Sequence, residues 1–378
     1  MMRKKKILQV TSCFQIGGTE AYIMNNFRNI NKDQFQFDFW FFRHEDSPYA
    51  DEIRSLGGNI YYGELPSANN IIPFIKSLVK HIKENGPYDA IHAHINIANA
   101  WVMFAAFLAR IKIRISHSHS TAGKDTKSII KKIYFKFQEY IIKIFATKKI
   151  ACSKIAGDYL YGENYFMNYG QVCNNGIDIN NFLHVDKYNI EVLKKEFFIP
   201  EDNFVIGNIT RFDLNKNTQF VVAVFKEILR IKSNSILILG GVDGGQLSSI
   251  KEKVHILGMD DKVRFIGVRK DINVCLKLLN AYIFPSLFEG LPIALLEVQA
   301  GGLQCYASTE VSKEVDMGLG TVTFLDMNKG ERYWAEYILD HYIEIDLDEA
   351  GIRDAFDNAG YSIHSSVVNL EKIYAGLL

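Results

Sequence analysis

The 378 residues are too many for one small domain and suit two domains of ordinary size. Hydrophobic residues at 48% and charged residues at 23% are globular values, which excludes a wholly disordered or fibrous chain. The formal net charge of zero argues against a generic nucleic-acid binder, but it is uneven: residues 1–190 carry 24 basic and 16 acidic residues, or +8, and the rest carries −8.

Short β-rich apolar runs alternate with longer helical patterns along the chain. Apolar spacing of three and four residues, as in Ile71–Ile82 and Asn217–Ile231, predicts helices between the strands. Such alternation predicts an α/β protein with two parallel sheets, each covered by helices on both faces. The predicted strands are Ile7–Cys13, Phe37–Phe42, Asn59–Tyr62, Ala90–Ala93, Ile113–Ser118, Lys149–Cys152, Val172–Asn174, Val205–Ile209, Ser235–Gly240, Val263–Ile266, Ala281–Pro285 and Gln304–Ala307.

The predicted division between the two sheets lies near residues 185–203, where Asp186–Phe198 has the pattern of a polar linking helix. We therefore expect an N-terminal Rossmann-like domain over residues 1–190 and a C-terminal one over residues 191–360, facing a central cleft. Residues 361–378 are expected to form a separate last helix.

Targeting signals are few. The basic start is interrupted at Gln9, Thr11 and Ser12, so no export signal is predicted. The longest apolar run, residues 98–111, is too short to span a bilayer. Five scattered cysteines without metal-ligand spacing are typical of reduced thiols. The prediction is a cytoplasmic protein, either soluble or peripheral on the inner face of the cell membrane.

Two loops that follow first strands could hold a phosphate. Gly17 and Gly18 lie between the first strand and its helix, where glycines allow close backbone approach and helix N–H groups face an anion. A tight turn would explain the same pattern. Arg211 and Lys216 follow the first strand of the second sheet, and a guanidinium and an ammonium there suit a diphosphate. Solvated surface is the alternative.

A third loop carries two glutamates eight residues apart. Glu289 lies in a Gly/Pro loop, and Glu297 lies in the helix that follows. A loop carboxylate can accept hydrogen bonds from hydroxyls while a helix N-terminus faces negative charge, which suits a sugar joined to a phosphate. A carboxylate that merely complements the helix dipole is the simpler explanation.

Glu289 and Glu297 fit the E-x7-E motif of the retaining glycosyltransferases of family GT4, which have the GT-B fold. Other segments also resemble that family, in family order and over nearly the whole chain: residues 17–20, 92–94, 151–154, 175–178, the Arg211/Lys216 pair, residues 240–245 and 265–267. The chain most resembles the branch that assembles capsular polysaccharides and exopolysaccharides.

The resemblance implies a role for each motif residue. Arg211 and Lys216 would hold the donor diphosphate and stabilise the leaving nucleotide. Glu289 would accept hydrogen bonds from the donor sugar, and Glu297 from the nucleotide ribose. Backbone N–H groups around this loop would meet the phosphates or the sugar, and the loop comprises Gly290, Leu291, Pro292 and Ile293.

Three further positions follow from the same resemblance. Gly17 and Gly18 would approach the diphosphate from the opposite domain, so activity would require closure. Arg269 would lie near the base. The last helix would cross back onto the first domain.

The family also places a histidine at the end of an N-domain strand, near the donor sugar. His119 is the preferred candidate, because Ile113–Ser118 then fills the preceding strand. His117 stays an alternative, because the side chains of His117 and His119 fall on the same face of the strand. A structural role is the alternative for either. His92 and His94 also match a family segment, and hydrogen-bonded strand-end residues would explain them equally well.

For the chemistry, the resemblance implies front-face substitution, since no N-domain carboxylate suits the role of nucleophile. We expect no catalytic metal and no cofactor beyond the nucleotide-sugar substrate. A D-x-D string at Asp346 and Asp348 has the pattern of a solvated helix start.

Residues 124–149 carry a local charge of +6. Their periodicity predicts a helix in which Phe135 and Ile142 project among the lysines and an apolar stripe faces the core. The stripe consists of Ile130, Ile133, Phe137, Ile141, Ile144 and Phe145. Lysines with exposed apolar groups suit an anionic membrane, and a long solvated helix is the alternative. The predicted acceptor or membrane residues are Lys127, Lys131, Lys132, Phe135, Lys136 and Ile142.

These expectations describe a metal-independent, retaining hexosyltransferase. It would move a sugar from a nucleotide-sugar, UDP by family frequency, to a glycan or lipid-linked saccharide acceptor in surface polysaccharide synthesis. Two alternatives stay open: an enzyme similar to the non-hydrolysing UDP-N-acetylglucosamine 2-epimerases, and a two-domain solute-binding protein. No nucleic-acid partner is expected.

Overall fold

The computed structural model describes residues 3–11, 17–42, 47–67, 69–119, 126–289, 291–345 and 347–378. The chain forms two compact units. Unit 1 consists of Met1–Gly176 and Ile363–Leu378, and unit 2 of Ile177–Ser362. The division after Gly176 lies before the predicted linking helix, and the last helix belongs to unit 1.

Unit 1 is built on a seven-stranded sheet in which every described neighbour is parallel. The strand order is β3-β2-β1-β4-β5-β6-β7. The strands are β1 Lys5–Thr11, β2 Phe35–Phe41, β3 Asn59–Tyr62, β4 Ala90–Ala93, β5 Ile113–Ser118, β6 Lys148–Ala151 and β7 Gly170–Val172. Its helices are α1 Gly18–Asn29, α2 Ala50–Ser55, α3 Ile71–Asn85, α4 Asn99–Leu108, α5 Ile129–Phe145, α6 Lys154–Tyr161, α7 Glu163–Tyr169 and α16 Ile363–Ala375.

The last helix completes the core on one face of this sheet. Leu370, Ile373 and Tyr374 of α16 are buried with Phe27 of α1 and Phe37 of β2. The Tyr374 ring lies edge-on to the Phe37 ring, with centroids 5.7 Å apart. Burial of these apolar side chains explains why α16 joins unit 1 although it is far from it in sequence.

Unit 2 is built on a six-stranded sheet with the order β10-β9-β8-β11-β12-β13, again with parallel neighbours. The strands are β8 Phe204–Ile209, β9 Ser235–Gly240, β10 Val263–Gly267, β11 Ala281–Phe284, β12 Gln304–Ser308 and β13 Val322–Leu325. The helices are α8 Asn180–Leu183, α9 Lys187–Glu196, α10 Thr218–Ile231, α11 Leu247–Ile256, α12 Ile272–Leu276, α13 Ile293–Ala300, α14 Gly330–His341 and α15 Glu349–Asn358.

Helix α9 is the predicted linking helix, and the structure gives it a different place. Leu193 of α9 and the following Phe197 are buried in the core of unit 2, together with Ile177 and Phe182. The prediction that the division falls near residues 185–203 is therefore corrected, because an apolar side of the helix packs inside unit 2. A helix with one buried side is part of a domain and not a spacer.

The predicted fold class, an α/β chain with two parallel Rossmann-like sheets, is confirmed. The twelve predicted strands correspond to β1–β12, and β13 was not predicted. Within the described ranges, no helix is both long and apolar enough to cross a membrane. Asp348 accepts hydrogen bonds from the N–H groups of Ala350 and Gly351 at the start of α15, as a helix start requires, whereas Asp346 lies outside the described residues.

Candidate functional site

Two loops of unit 2 that carry predicted site residues lie at the same edge of the sheet. Strands β8 and β11 are parallel neighbours, so their carboxyl ends point the same way. Residues 210–217 connect β8 to α10, and residues 285–292 connect β11 to α13. The backbone N–H of Leu287 donates to the carbonyl of Asn215 at 2.8 Å, which joins the two loops directly.

The structure brings Lys216 and Glu289 together at this edge. The Lys216 ammonium donates to Oε1 of Glu289, and each side chain is 18% exposed. Asn215 Nδ2 donates to the same carboxylate oxygen at 3.0 Å and to the carbonyl of Phe288 at 2.8 Å. The Lys216 ammonium also lies 4.9 Å from the centroid of the Phe284 ring. The result is a half-buried ion pair held by the loop backbone and an aromatic face.

Arg211 lies in the same loop but is more exposed. Its side chain is 65% exposed, and its Nε donates to Oδ2 of Asp213 at 2.7 Å. The other oxygen of Asp213 accepts from the backbone N–H of Lys216 at 3.0 Å. Asp213 therefore fixes the turn between the two cations, which leaves Arg211 as a solvent-facing guanidinium.

The second glutamate of the E-x7-E motif lies one turn into α13. Pro292 precedes the helix and Ile293 is its first residue, next to the partly buried Leu291. Gly290 lies outside the described residues. Burial raises the pKa of the Glu297 carboxyl to about 7, because the charged form is poorly solvated there. Glu297 therefore titrates near neutral pH.

Arg269 has an internal role in the structure. Its guanidinium binds both carboxylate oxygens of Asp271, at 2.8 and 2.6 Å, and Oε1 of Glu196 at 2.6 Å. It also lies 5.3 Å from the centroid of the Phe197 ring. These contacts account for the side chain without a ligand, and a position near a nucleotide base stays a prediction.

In unit 1, Gly17 and Gly18 are exposed at the start of α1. A Cβ atom on Gly17 would lie 2.7 Å from Oε2 of Glu20, a contact that a shift of the Glu20 carboxylate would relieve. Burial raises the pKa of Glu20 to about 7. Residues 12–16 of the same loop lie outside the described residues.

Four histidines converge at the carboxyl ends of β4 and β5. His92 and His117 are fully buried within the strands, His94 is buried just after β4, and His119 is partly buried just after β5. Nδ1 of His94 lies 2.8 Å from Nε2 of His119, and Nε2 of His92 lies 3.1 Å from Nδ1 of His117. Burial lowers the pKa of His119 to about 3, and burial with mutual repulsion lowers the pKa of the other three well below the ordinary value. All four imidazoles are therefore neutral at physiological pH.

Three of these residues, His92, His94 and His117, could in principle offer ligand atoms to one metal ion, since those atoms lie within 4.8 Å of one another. Hydrogen bonds already occupy both ring nitrogens of His92 and His94 and Nδ1 of His117, however. The absence of a catalytic metal stays a prediction.

The predicted membrane helix exists, but its faces differ from the prediction. Ile142 was expected to project among the lysines, yet it is fully buried, and Phe135 is partly buried. The stripe assigned to the core is largely exposed, since only Ile141 of it is buried and Phe145 partly so. Packing against α4 decides which side is buried, as Phe104 and Phe145 show with ring centroids 5.0 Å apart. The exposed lysines include Lys127, Lys131, Lys132 and Lys136.

Six exposed apolar side chains form what we name the α5 face: Ile129, Ile130, Ile133, Phe137, Tyr140 and Ile144, each at least 51% exposed. With 3.6 residues per turn they share one arc of about 100°. Lys132 and Lys136 lie beside one edge of that arc and the buried Ile141 lies beside the other, whereas the buried Gln138 and Ile142 lie on the far side of the helix.

Sequence reasoning missed three residues of these sites. Asn215 lies between Arg211 and Lys216 in the sequence, and that position was the only indication of a role in the site. Gln9, whose Oε1 lies 2.9 Å from Nε2 of His94, is a polar residue inside the buried strand β1, which is itself a signal of a special role. Tyr374 of α16, whose hydroxyl lies 2.8 Å from Nδ1 of His92, gave no signal, because a tyrosine on an apolar helix side is ordinary core.

Sequence comparisons agree with this arrangement. The family model described as Glycosyltransferase Family 4 matches residues 16–181, and the one described as Glycosyl transferases group 1 matches residues 189–313. EpsF of Bacillus subtilis strain 168, named as a glycosyltransferase, is 31% identical over 98% of this chain and 96% of its own. CapH of Staphylococcus aureus, named as a capsular polysaccharide biosynthesis glycosyltransferase, is 27% identical over 77% of this chain and 78% of its own.

A third relative comes from Escherichia coli and is named UDP-Gal:alpha-D-GlcNAc-diphosphoundecaprenol alpha-1,3-galactosyltransferase. It is 25% identical over 81% of this chain and 79% of its own. Among solved structures, HepE of Anabaena in complex with UDP-glucose superposes with a TM-score of 0.77 at 18% identity, over 98% of this chain and 99% of HepE. That likeness supports the GT-B fold class. With a relative 31% identical along almost its whole length, the chain belongs to the glycosyltransferases of family 4.

Proposed function

We propose that this glycosyltransferase is a retaining, metal-independent hexosyltransferase that uses a UDP-sugar and extends a lipid-linked saccharide or glycan during surface polysaccharide synthesis. The main support for the proposal is the Lys216–Glu289 pair. It places a cation beside a carboxylate that can accept hydrogen bonds from sugar hydroxyls. The names of CapH and of the E. coli enzyme support the pathway and the acceptor. The UDP-glucose bound to HepE supports the donor.

The donor would be bound by charge and hydrogen bonds from unit 2. Lys216 and Arg211 would contact the diphosphate, where they offset the negative charge that grows on the leaving UDP. Glu289 would accept hydrogen bonds from the sugar hydroxyls, and Asn215 holds its carboxylate in place. Glu297 would accept from the ribose hydroxyls. Backbone N–H groups at the start of α13 would add donors for the phosphates.

In the proposed reaction, the bond between the anomeric carbon and the phosphate oxygen breaks while the acceptor oxygen bonds to the same face of the sugar. The acceptor proton passes to the departing phosphate, so no protein nucleophile is required. His119 would hydrogen-bond to the sugar, as the family resemblance implies. The protein then contributes position and electrostatic stabilisation.

The α5 face supports a membrane location for the reaction. Exposed apolar side chains beside lysines are the two features that hold a helix in the plane of an anionic bilayer surface. Lys132 and Lys136 would meet anionic headgroups while Ile133 and Phe137 enter the headgroup–acyl boundary. We propose that unit 1 docks on the inner face of the cell membrane through this face, near a lipid-linked acceptor.

Metal independence and donor choice have a direct test. With purified enzyme and a lipid-diphosphate saccharide acceptor, we expect UDP release from UDP-sugars but not GDP or ADP release from the corresponding donors. We also expect full activity in EDTA, since two cationic side chains offset the diphosphate charge. Loss of activity in EDTA with recovery in Mn²⁺ would contradict the metal-independent mechanism.

Donor binding should depend on pH through Glu297. With its pKa at about 7, the carboxyl is protonated below that pH and becomes a full hydrogen-bond acceptor above it. The KM for the UDP-sugar should therefore fall as pH rises from 6 to 8. Glu297→Gln should raise KM and remove most of this pH dependence. Because the pKa of Glu20 is also about 7, this variant shows which of the two carboxyls causes the dependence. A variant that keeps the wild-type pH profile would show that Glu297 does not contact the donor.

A further inference from the structure

Six polar side chains of unit 1 form one continuous hydrogen-bonded chain, which we name the histidine chain. Its members are Gln9 of β1, His92 and His94 at β4, His117 and His119 at β5, and Tyr374 of α16. Five of the six side chains are buried, and His119 is partly buried.

The parallel sheet explains why these residues meet. In the register of β1 and β4, Gln9 pairs with His92. Side chains alternate along a strand, so His92 and His94 share one face of the sheet, as do His117 and His119. Tyr374 reaches the same face because α16 packs there, and Tyr22 of α1 covers the cluster with its ring centroid 5.0 Å from that of His117.

The direction of each hydrogen bond follows from Gln9. Its side-chain oxygen can only accept, and it faces Nε2 of His94 at 2.9 Å, so His94 carries its proton on Nε2. A neutral His94 then has a lone pair on Nδ1. That atom lies 2.8 Å from Nε2 of His119, so His119 donates from Nε2 and has its own lone pair on Nδ1.

The other branch is fixed in the same way. Nε2 of Gln9 donates to the Tyr374 hydroxyl at 3.1 Å. The Tyr374 hydroxyl then donates a hydrogen bond to Nδ1 of His92 at 2.8 Å, and Nε2 of His92 donates to Nδ1 of His117 at 3.1 Å. His117 therefore carries its proton on Nε2, an atom that is buried without a hydrogen-bond partner among the described residues. The two ends of the chain therefore differ. At His117 the terminal atom is a buried N–H donor, Nε2, and at His119 it is an acceptor nitrogen, Nδ1.

We propose that the histidine chain is a positioning device that holds His119 as the neutral Nε2–H tautomer. The Nδ1 lone pair of His119 then accepts a hydrogen bond from a hydroxyl of the sugar substrate. Gln9, His94 and Tyr374 act through His119 and are positioning residues. This assignment rests on the proposed function for the contact of His119 with substrate, and it selects His119 over His117 for that contact.

Neutral imidazoles are necessary for this arrangement. A second proton on His92, His94 or His117 would turn an acceptor nitrogen into a donor facing another donor, and a second proton on His119 would remove its Nδ1 lone pair. The burial of the cluster disfavours that proton.

Bound zinc would have to displace hydrogen bonds at the three candidate ligands, His92, His94 and His117. Nε2 of His92 lies 3.1 Å from Nδ1 of His117, and Nδ1 of His94 lies 2.8 Å from Nε2 of His119, and both are hydrogen-bond distances. If His92 bound a metal through Nε2, its Nδ1 would carry the proton, and the Tyr374 hydroxyl would lose its acceptor.

The test is an NMR measurement of histidine tautomers on the full chain with ¹⁵N-labelled histidine. Long-range ¹H–¹⁵N correlation spectra show which ring nitrogen carries the proton, and His119→Asn assigns the His119 signal. We expect wild-type His119 to be protonated on Nε2 only, between pH 6 and 8. Gln9→Met and Tyr374→Phe should each give a mixture of His119 tautomers, and Gln9→Met should lower kcat/KM for the UDP-sugar about tenfold.

Tyr88→Phe is the matched control. It also removes a buried tyrosine hydroxyl in unit 1, which donates to Asp38 at 2.8 Å, but it has no bond to the histidine chain. It should leave the His119 tautomer unchanged and kcat/KM within twofold. The wild-type spectrum keeps the proposal testable even if a variant fails to fold.

Three results would overturn the proposal: a His119 proton on Nδ1, an imidazolium at pH 7, or one equivalent of tightly bound metal in the purified protein. None of them depends on catalysis. If the wild type releases no UDP while His119 has the expected tautomer, the proposed function fails and the structural assignment stands.

Discussion

Lys216→Ala and Glu289→Ala should each reduce sugar transfer by about a thousandfold. Lys216 is the less exposed of the two cations proposed to offset the charge on the leaving UDP, and Glu289, which contacts the lysine, is proposed to bind the sugar hydroxyls. Either truncation also leaves its partner charge half-buried and unpaired, which disturbs the rest of the site. The measurement is kcat and KM for UDP release in the presence of acceptor, with circular dichroism and thermal melting to confirm the fold.

The double variant tests whether the pair works as a unit. Groups that act together are strongly non-additive, so Lys216→Ala with Glu289→Ala should be little slower than either single variant. Lys194→Ala is the matched control, because Lys194 pairs with Glu191 at 2.8 Å on α9 of the same unit and is no part of the site. It should keep activity within twofold. Near-normal turnover in either single variant would overturn the assignment of the donor site.

Ile133→Asp combined with Phe137→Asp should abolish binding to anionic vesicles. Both side chains are more than half exposed, so the fold should tolerate the change, while the loss of two apolar anchors should weaken membrane binding by about a hundredfold or more. Lys132→Gln with Lys136→Gln should weaken it by about thirtyfold, at about 1 kcal/mol for each lysine. Flotation with vesicles of phosphatidylglycerol and phosphatidylcholine measures both effects.

The control for this experiment is Ile256→Asp with Phe198→Asp. These side chains are 73% and 77% exposed but belong to unit 2, so binding should stay at the wild-type level. Equal binding to neutral and anionic vesicles, or no binding at all, would contradict the membrane proposal. A dimer in sedimentation that the Ile133/Phe137 variant dissociates would show instead that a second copy covers the α5 face.

Local pattern was sufficient for most of the fold. The buried strands of each sheet are continuous apolar runs between helical segments, and this pattern depends only on neighbouring residues. Strand β13 escaped prediction because it has four residues, only one of them buried, at the edge of its sheet. The division between the units was predicted at the wrong place because Leu193 and Phe197 bury one side of a helical segment whose sequence is otherwise largely polar.

The candidate sites divide in a similar way. Lys216 and Glu289 could be identified as site residues from the sequence, because each lies in a family motif. Neighbouring strands bring the two motifs together. The α5 face was assigned to the wrong side because α5 has apolar residues around most of its circumference. Periodicity then identifies a stripe but not the side that α4 covers. The link from Gln9 through Tyr374 joins residues 365 positions apart and depends on the docking of α16.

Transfer with retention is the central claim, and the product's anomeric configuration tests it most directly. Proton NMR of a reaction with an α-linked UDP-sugar and a saccharide acceptor should show an α-linked product, with UDP formed in equal amount and only when acceptor is present. A β-linked product would contradict the retaining mechanism. Epimerised UDP-sugar in the absence of acceptor would contradict glycosyl transfer itself.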